Sequence, residues 1–433
     1  MISLIITFLI IQLLKYVYST GELVSPWTIF TALSIVDILM PAVLRIAFPE
    51  FNIYPIWMAK LEAEDLIIAV IFSFFGWVLF SLGYFNGKKV SIVKRYSIVF
   101  IPKRALLLLA FCLLFYAIYF IVIFNYHGGV DAYISNSLTN RFVSASDLPP
   151  IISFLNVIRP LVLTLIFIIV ANLFYFYYKN GEGSVKIFFL PLLGFLMSLT
   201  TFFRGTILNY LFGFIALGNN KNNFDSLNSR SNNMKRKNNF KVVFFIVAAF
   251  LIVGAVRGFY IEKEAGNDTE ISILKEVNKN LSGSALIGLA SVIKNYGYSV
   301  DYLYGKTIFD MLLMPVPRVI YTSKPDWYGI DDITRGMGWP KSTQSAVSPQ
   351  GEYYANFGVY GIILMYFLGA LFGVCRKFAE KDLMHFSIYA FLILPVTLTT
   401  FWMSTTGLIN GLKMIPFIFI ILKILFRKNA GKV

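Results

Sequence analysis

Arg204, Arg257 and Arg318 stand in or beside long apolar runs, where a charge is costly and usually serves a cavity or a partner. A guanidinium stays charged and offers a planar fork of donors, so three of them near one membrane face suit a diphosphate. The alternative is snorkelling to the lipid headgroups. Glu352 lies in SPQGEYYANFG, immediately before an apolar run. Packed among Tyr353, Tyr354 and Phe357, its carboxylate is a candidate general base; equally, it is an acid favoured at a helix N-terminus. Arg141, Lys324 and Arg335 are candidate contacts to the anionic substrate, and Trp327, Tyr328, Trp339, Tyr353 and Tyr354 are candidate platforms for sugar rings. The same aromatics also fit an interfacial belt. Asp326, Asp331 and Asp332 are read as turn residues rather than metal ligands, and no metal or cofactor is expected.

Most of these residues fall in one stretch, 314–361, which carries five prolines and mixes charge with Tyr and Trp. Proline fixes φ and removes a donor, so the stretch is not one helix. It must be held by its surroundings, and those are apolar. The chain has 433 residues, 57% hydrophobic and 14% charged, against roughly 25% charge in a soluble domain. Runs of ~20 apolar residues recur, which predicts an all-α polytopic membrane protein. Continuous rather than alternating runs exclude a β-barrel. The first run opens without a basic flank or a cleavage site, and is read as a retained helix. Two cysteines and two histidines give no disulfide framework and no metal cluster.

Eleven spans are expected, at about 2–18, 27–47, 66–85, 105–124, 151–178, 187–202, 205–218, 241–257, 356–375, 384–403 and 407–426. The net charge of +15 concentrates in loops 86–104 and 219–241 and in the tail. Eleven spans place all three on one side, the cytoplasmic one, with the N-terminus outside. That distribution argues against nucleic-acid binding. The expected organisation is spans one to eight in 1–257, with a disordered Asn/Ser/Lys-rich linker at 219–239, then an external loop at 258–355, then spans nine to eleven in 356–433. Apolar spacing at Ala285, Leu286, Leu289, Val292 and Ile293 predicts an amphipathic helix lying over the bundle. Residues 187–218 are read as two short helices broken at TTFFRG. Asp37 and Arg45 lie about two turns apart. Gly369 and Gly373 permit close helix packing.

The FFRG break, the late external loop, PxPR and SPxGExYxNFGxxG together resemble the Wzy-type repeat-unit polymerases of bacterial O-antigen and capsule assembly. The resemblance implies a GT-C-like fold in the bacterial inner membrane. It also implies transfer of a growing glycan from undecaprenyl diphosphate to the next lipid-linked repeat unit at the periplasmic face. The family's essential external-loop arginines map onto Arg257 and Arg318, with Arg204 at the helix break. Implied partners are undecaprenyl-diphosphate-linked oligosaccharides, membrane lipids, a Wzz-type co-polymerase and a flippase. Two alternatives remain: a flippase of lipid-linked oligosaccharides, which would have twelve or more spans in two similar halves, and an O-antigen ligase, which would carry a histidine in the external loop. Loop 258–354 holds none.

Overall fold

The computed structural model describes residues 2–47, 61–91, 98–130, 132–133, 149–180, 184–199, 204–219, 284–313, 330–339 and 347–428. Almost all of them are helical. Seven helices are long and apolar enough to cross a membrane: Ile2–Thr20, Pro26–Ala47, Ala63–Lys88, Pro102–His127, Pro150–Tyr178, Pro349–Ala379 and Leu383–Leu412. The chain is therefore a helical, multi-pass membrane protein. The eighth expected span and the linker at 219–239 lie outside the described residues.

Two compact units form, and neither follows chain order. The first gathers residues 1–93, 278–378 and 393–413. Its helices are α1 (Ile2–Thr20), α2 (Pro26–Leu33), α3 (Met40–Ala47), α4 (Ala63–Lys88), α9 (Ser284–Asn295), α10 (Lys306–Leu313), α11 (Ile330–Gly336), α12 (Pro349–Phe357), α13 (Leu364–Ala379) and α15 (Leu394–Leu412). A π-helical stretch, Ser34–Leu39, joins α2 to α3. Ser25 starts α2 through a reciprocal cap with Thr28, followed by Pro26 in the first turn.

α4 and α13 touch through glycines. A Cβ at Gly369 or Gly373 would enter the space of the Phe80 or Tyr84 carbonyl, and one at Gly83 or Gly87 that of Tyr366 or Ala370. Contacts rise together in both numbers, so the two helices run parallel. At one end of this pair, Glu22 accepts from Arg376 (Nε, 3.2 Å) and from the Tyr16 hydroxyl at 2.8 Å, with Lys88 Nζ 3.8 Å away. The ends of α1, α4 and α13 thus meet through these side chains.

α9 differs from expectation. It does not lie over the bundle; Ala285, Leu286, Leu289, Ala290 and Val292 are all fully buried. It packs against α4, α12 and the π stretch. A helix apolar on every side is buried on every side, and its small residues let neighbours close around it. Lys294, at its end, pairs with Asp65 at 2.6 Å.

One span boundary also moves. The expected ninth span begins at Pro349 rather than near 356, because Ser348 caps the helix and Pro349 is preset for the first turn. It bends at Gly358, whose φ of 60° and ψ of −145° favour glycine. Within α15, Ser404 leaves helical geometry at φ 50° and ψ −136°. Beyond it Gly407 lies against Thr399 and Thr400, and Gly411 against Val396. The helix therefore folds back on itself at Ser404, within the break expected at 404–406.

The second unit gathers residues 94–277, 379–392 and 414–433. It holds α5 (Pro102–His127), α6 (Pro150–Asn180), α7 (Ser184–Leu199), α8 (Arg204–Asn219), α14 (Leu383–Ile388) and α16 (Ile415–Leu425). Two short strands, β1 (Ile98–Phe100) and β2 (Phe426–Lys428), pair antiparallel with Ile98 opposite Lys428. α7 and α8 are the two short helices expected on either side of the TTFFRG break. Asp382 caps α14 through the His385 N–H at 2.9 Å, and Asn172 of α6 donates to Ser387 at 3.0 Å.

Candidate functional site

A dense polar cluster in apolar surroundings is centred on Glu352 in the first unit. α12 carries it, and Ser348 sets the helix start that turns it inward. Glu352 is 0% exposed. Its Oε1 accepts from the Thr307 hydroxyl of α10 at 2.7 Å. Its Oε2 accepts from the Ser404 hydroxyl and from the Thr405 backbone N–H, the latter at 2.8 Å. One turn on, Asn356 donates to Thr307 Oγ1 at 2.7 Å. A carboxylate facing the first N–H of the returning limb of α15 is favoured by the dipole at a helix start. Both carboxylate oxygens are therefore committed to internal donors. The geometry suits a group that holds α10, α12 and the Ser404 turn together better than one that waits for a proton.

The two non-glycine residues with positive φ among the described residues border this cluster. One is Ser404 itself. The other is Tyr304, at φ 46°, whose N–H donates to the Asn356 carbonyl at 3.0 Å. Leu303 donates likewise to the Ala355 carbonyl at 2.9 Å. These bonds satisfy the last carbonyls of α12, which no helical N–H reaches. Backbone strain of this kind costs about 1–3 kcal/mol per residue and persists where the surroundings impose it.

Asp310, one turn beyond Thr307 on α10, has spare capacity, as does Asp332 on α11, whose Oδ2 likewise accepts no hydrogen bond. Asp310 is 7% exposed and its Oδ2 accepts no hydrogen bond. Lys306 Nζ stands 3.9 Å from that oxygen and 3.2 Å from Asp332 Oδ2 on α11: close enough for attraction, without hydrogen-bond geometry. Burial pushes the Asp310 carboxyl above the usual carboxylate range; Lys306 opposes the rise and Asp332 adds to it.

The sequence-predicted residues divide into three groups. Arg141, Arg257, Arg318, Lys324, Trp327 and Tyr328 lie outside the described residues, as does Asp326. Arg204 opens α8 in the second unit, at the expected helix break. Glu352, Tyr353, Tyr354, Arg335 and Trp339 belong to the first unit. Arg335 is exposed on α11, and Trp339 is half-buried just after it. Tyr353 and Tyr354 correct the expectation of sugar platforms. They are 6% and 7% exposed, and Tyr354 packs edge-on against Phe72 and Tyr302. Both rings are core, because α12 is enclosed rather than poised at a loop end. Asp37 accepts from Trp402 Nε1 at 2.9 Å and lies in the π stretch, a form of helix often found at functional positions.

Thr307, Asp310 and Ser404 were not anticipated. A buried Thr and Asp one turn apart on an eight-residue helix had a trace in the sequence, KTIFDMLL, where Thr307 and Asp310 share the face of Met311 while Phe309 and Leu312 lie on the other. Among the described residues, no group of three His, Cys, Asp or Glu side chains is placed to hold a metal ion. No known protein family, curated protein or solved structure matches the chain.

Proposed function

We propose that this protein is a membrane glycosyltransferase that polymerises lipid-linked repeat units, with eleven spans in a GT-C-like arrangement in the bacterial inner membrane and its N-terminus periplasmic. The observation that carries the reading is the buried, fully hydrogen-bonded Glu352 within the SPxGExYxNFGxxG segment, bordered by the two strained residues Ser404 and Tyr304. The cluster anchors α10, α12 and the Ser404 turn, and such anchoring is what a site that must hold polar groups rigidly in an apolar setting needs.

In the proposed reaction the acceptor hydroxyl attacks the anomeric carbon of the donor glycan. The new C–O bond forms as the bond to the lipid diphosphate breaks, and the electron pair leaves with the diphosphate. The proton goes to a carboxylate. Asp310 suits that role because its free oxygen lacks a donor, while Glu352 positions α10 beneath it. The arginines Arg204, Arg257 and Arg318 would hold the diphosphate as charge develops on it. A chain-length co-polymerase and a flippase are the expected partners.

Purified protein reconstituted with two lipid-linked repeat units tests this directly. Longer lipid-linked glycan supports the polymerase. Unchanged glycan that crosses the bilayer identifies a transporter, and glycan moved to a lipid A acceptor identifies a ligase. Asp310→Asn should slow extension by about 10²–10⁴-fold, the usual contribution of a positioned base.

A further inference from the structure

The second unit holds a guanidinium that the polymerase reading does not use. Arg159 lies nine residues into α6, within the apolar run FLNVIRPLVL. Its Nη1 donates to the Tyr119 hydroxyl of α5 at 2.7 Å, and its guanidinium carbon stands 5.4 Å from that ring's centre. Tyr119 in turn donates to Asn156 Oδ1 at 3.0 Å. Among the described residues no carboxylate pairs with Arg159. One turn before Tyr119, Tyr116 is 2% exposed and its hydroxyl has no hydrogen-bond partner. Arginine has five N–H donors and tyrosine one. Among the described residues the cluster is thus rich in unused donors and lacks an anion.

Placement favours an anion carried by lipid. α6 has 31 residues, about 46 Å at the usual rise, against a hydrocarbon core of about 30 Å. Arg159 lies about 13 Å from the start of the helix, where the excess length brings it near the headgroup boundary. The neighbouring outward positions Phe154, Val157 and Leu114 are all more than half exposed, as lipid-facing side chains should be.

We propose that Arg159 and Tyr116 form a binding site for the phosphate group of a lipid, with Tyr119 and Asn156 fixing the guanidinium plane. A fork of guanidinium donors matches two phosphate oxygens, and the Tyr116 hydroxyl supplies a third bond. The site stands apart from the polymerase reading and needs no glycan.

The test titrates full-length protein in a phosphate-free maltoside with undecaprenyl diphosphate, phosphatidylglycerol or inorganic pyrophosphate, and counts bound molecules by native mass spectrometry. Wild type should retain one lipid phosphate more tightly than Arg159→Gln by about tenfold or more, with Tyr116→Phe weakened in the same direction. Arg159→Lys should fall between, since it keeps charge but not the fork. Equal retention of phosphatidylglycerol assigns the phosphate to bulk headgroups; preference for undecaprenyl diphosphate assigns it to the carrier lipid; binding of pyrophosphate alone assigns it to a free ion and overturns the lipid proposal. Should Arg159→Gln fail to fold, Tyr116→Phe carries the test, because it leaves the guanidinium and the ring packing in place. Binding within twofold of wild type in both variants, for every probe, overturns the site, as does a wild type that binds none of the three.

Discussion

Replacing Glu352 by Gln separates anchoring from proton transfer. Glu352 accepts three hydrogen bonds: from Thr307, Ser404 and the Thr405 N–H. The Gln carbonyl can face Ser404 and Thr405, since the backbone N–H cannot turn away. Those two bonds drop from charge-assisted to neutral, at about 1 kcal/mol each. The new amide then points at Thr307 Oγ1, which already accepts from Asn356. The Thr307 hydrogen loses its acceptor inside the core, at about 1–3 kcal/mol. The sum is about 3–5 kcal/mol. A solvated acid at a helix start would lose at most about 1 kcal/mol. The assay pairs the unfolding free energy in mixed micelles with the initial rate of glycan extension below the unfolding transition. Anchoring predicts a large stability loss and a rate that falls only as far as the folded fraction does. A stability change under about 1 kcal/mol together with a rate loss beyond 10²-fold would refute the anchoring argument and return Glu352 to the role of base.

Three further outcomes follow from the same geometry. Gly369→Ala and Gly373→Ala should each destabilise the protein by about 1–3 kcal/mol, because the added Cβ enters backbone space on α4; wild-type unfolding midpoints would show that α4 and α13 do not touch there. Burial raises the Glu22 carboxyl, but Arg376 and Lys88 outweigh it and hold it below the usual range. Its stabilisation is therefore complete above the ordinary glutamate range and is lost as pH falls through the lowered value. The stability gap between wild type and Glu22→Gln should shrink between about pH 6 and pH 3, and a constant gap would remove the ion pair from the balance. With Cys112 and Cys375 replaced, Lys89→Cys should react with an impermeant thiol reagent only from the cytoplasm and Tyr298→Cys only from outside, both positions being exposed; labelling from one side would end the eleven-span topology.

Membrane character was plain in the sequence, because apolar runs of sufficient length have no other stable environment. The Gly369–Gly373 spacing was visible too, though only as permission for close approach; the partner glycines, Gly83 and Gly87, lie nearly three hundred residues away and no local pattern joins them. α9 was misread because a run of Ala, Leu, Gly and Ser shows helical apolar spacing whether one face or all faces are covered. A break at 404–406 is legible in the sequence, and the chain does reverse there; what left no signal is the positive φ of Ser404. The segment FWMSTTG has no proline, and its glycine lies three residues past the turn, so a serine forced to φ 50° is set entirely by tertiary packing. Glu352 was legible as a candidate, yet what it touches depends on Thr307 and Ser404, which only the folded chain brings to it.

The discontinuity of the first unit has a bearing on how the chain is made. Residues 1–93 leave the ribosome long before 278–378 and 393–413. Until then the glycine face of α4 lacks α13 and the Asp65 carboxylate lacks Lys294. Closing such distant contacts is entropically slow. The early helices must therefore dwell in the bilayer as a half-built assembly, with Glu22 and Lys88 waiting for Arg376. A nascent chain stalled before about residue 404 would insert its helices, yet it would lack the turn that completes the Glu352 cluster. Insertion and maturation are thus separate events in time, and quality control acting between them would meet polar side chains in the membrane that the finished protein hides.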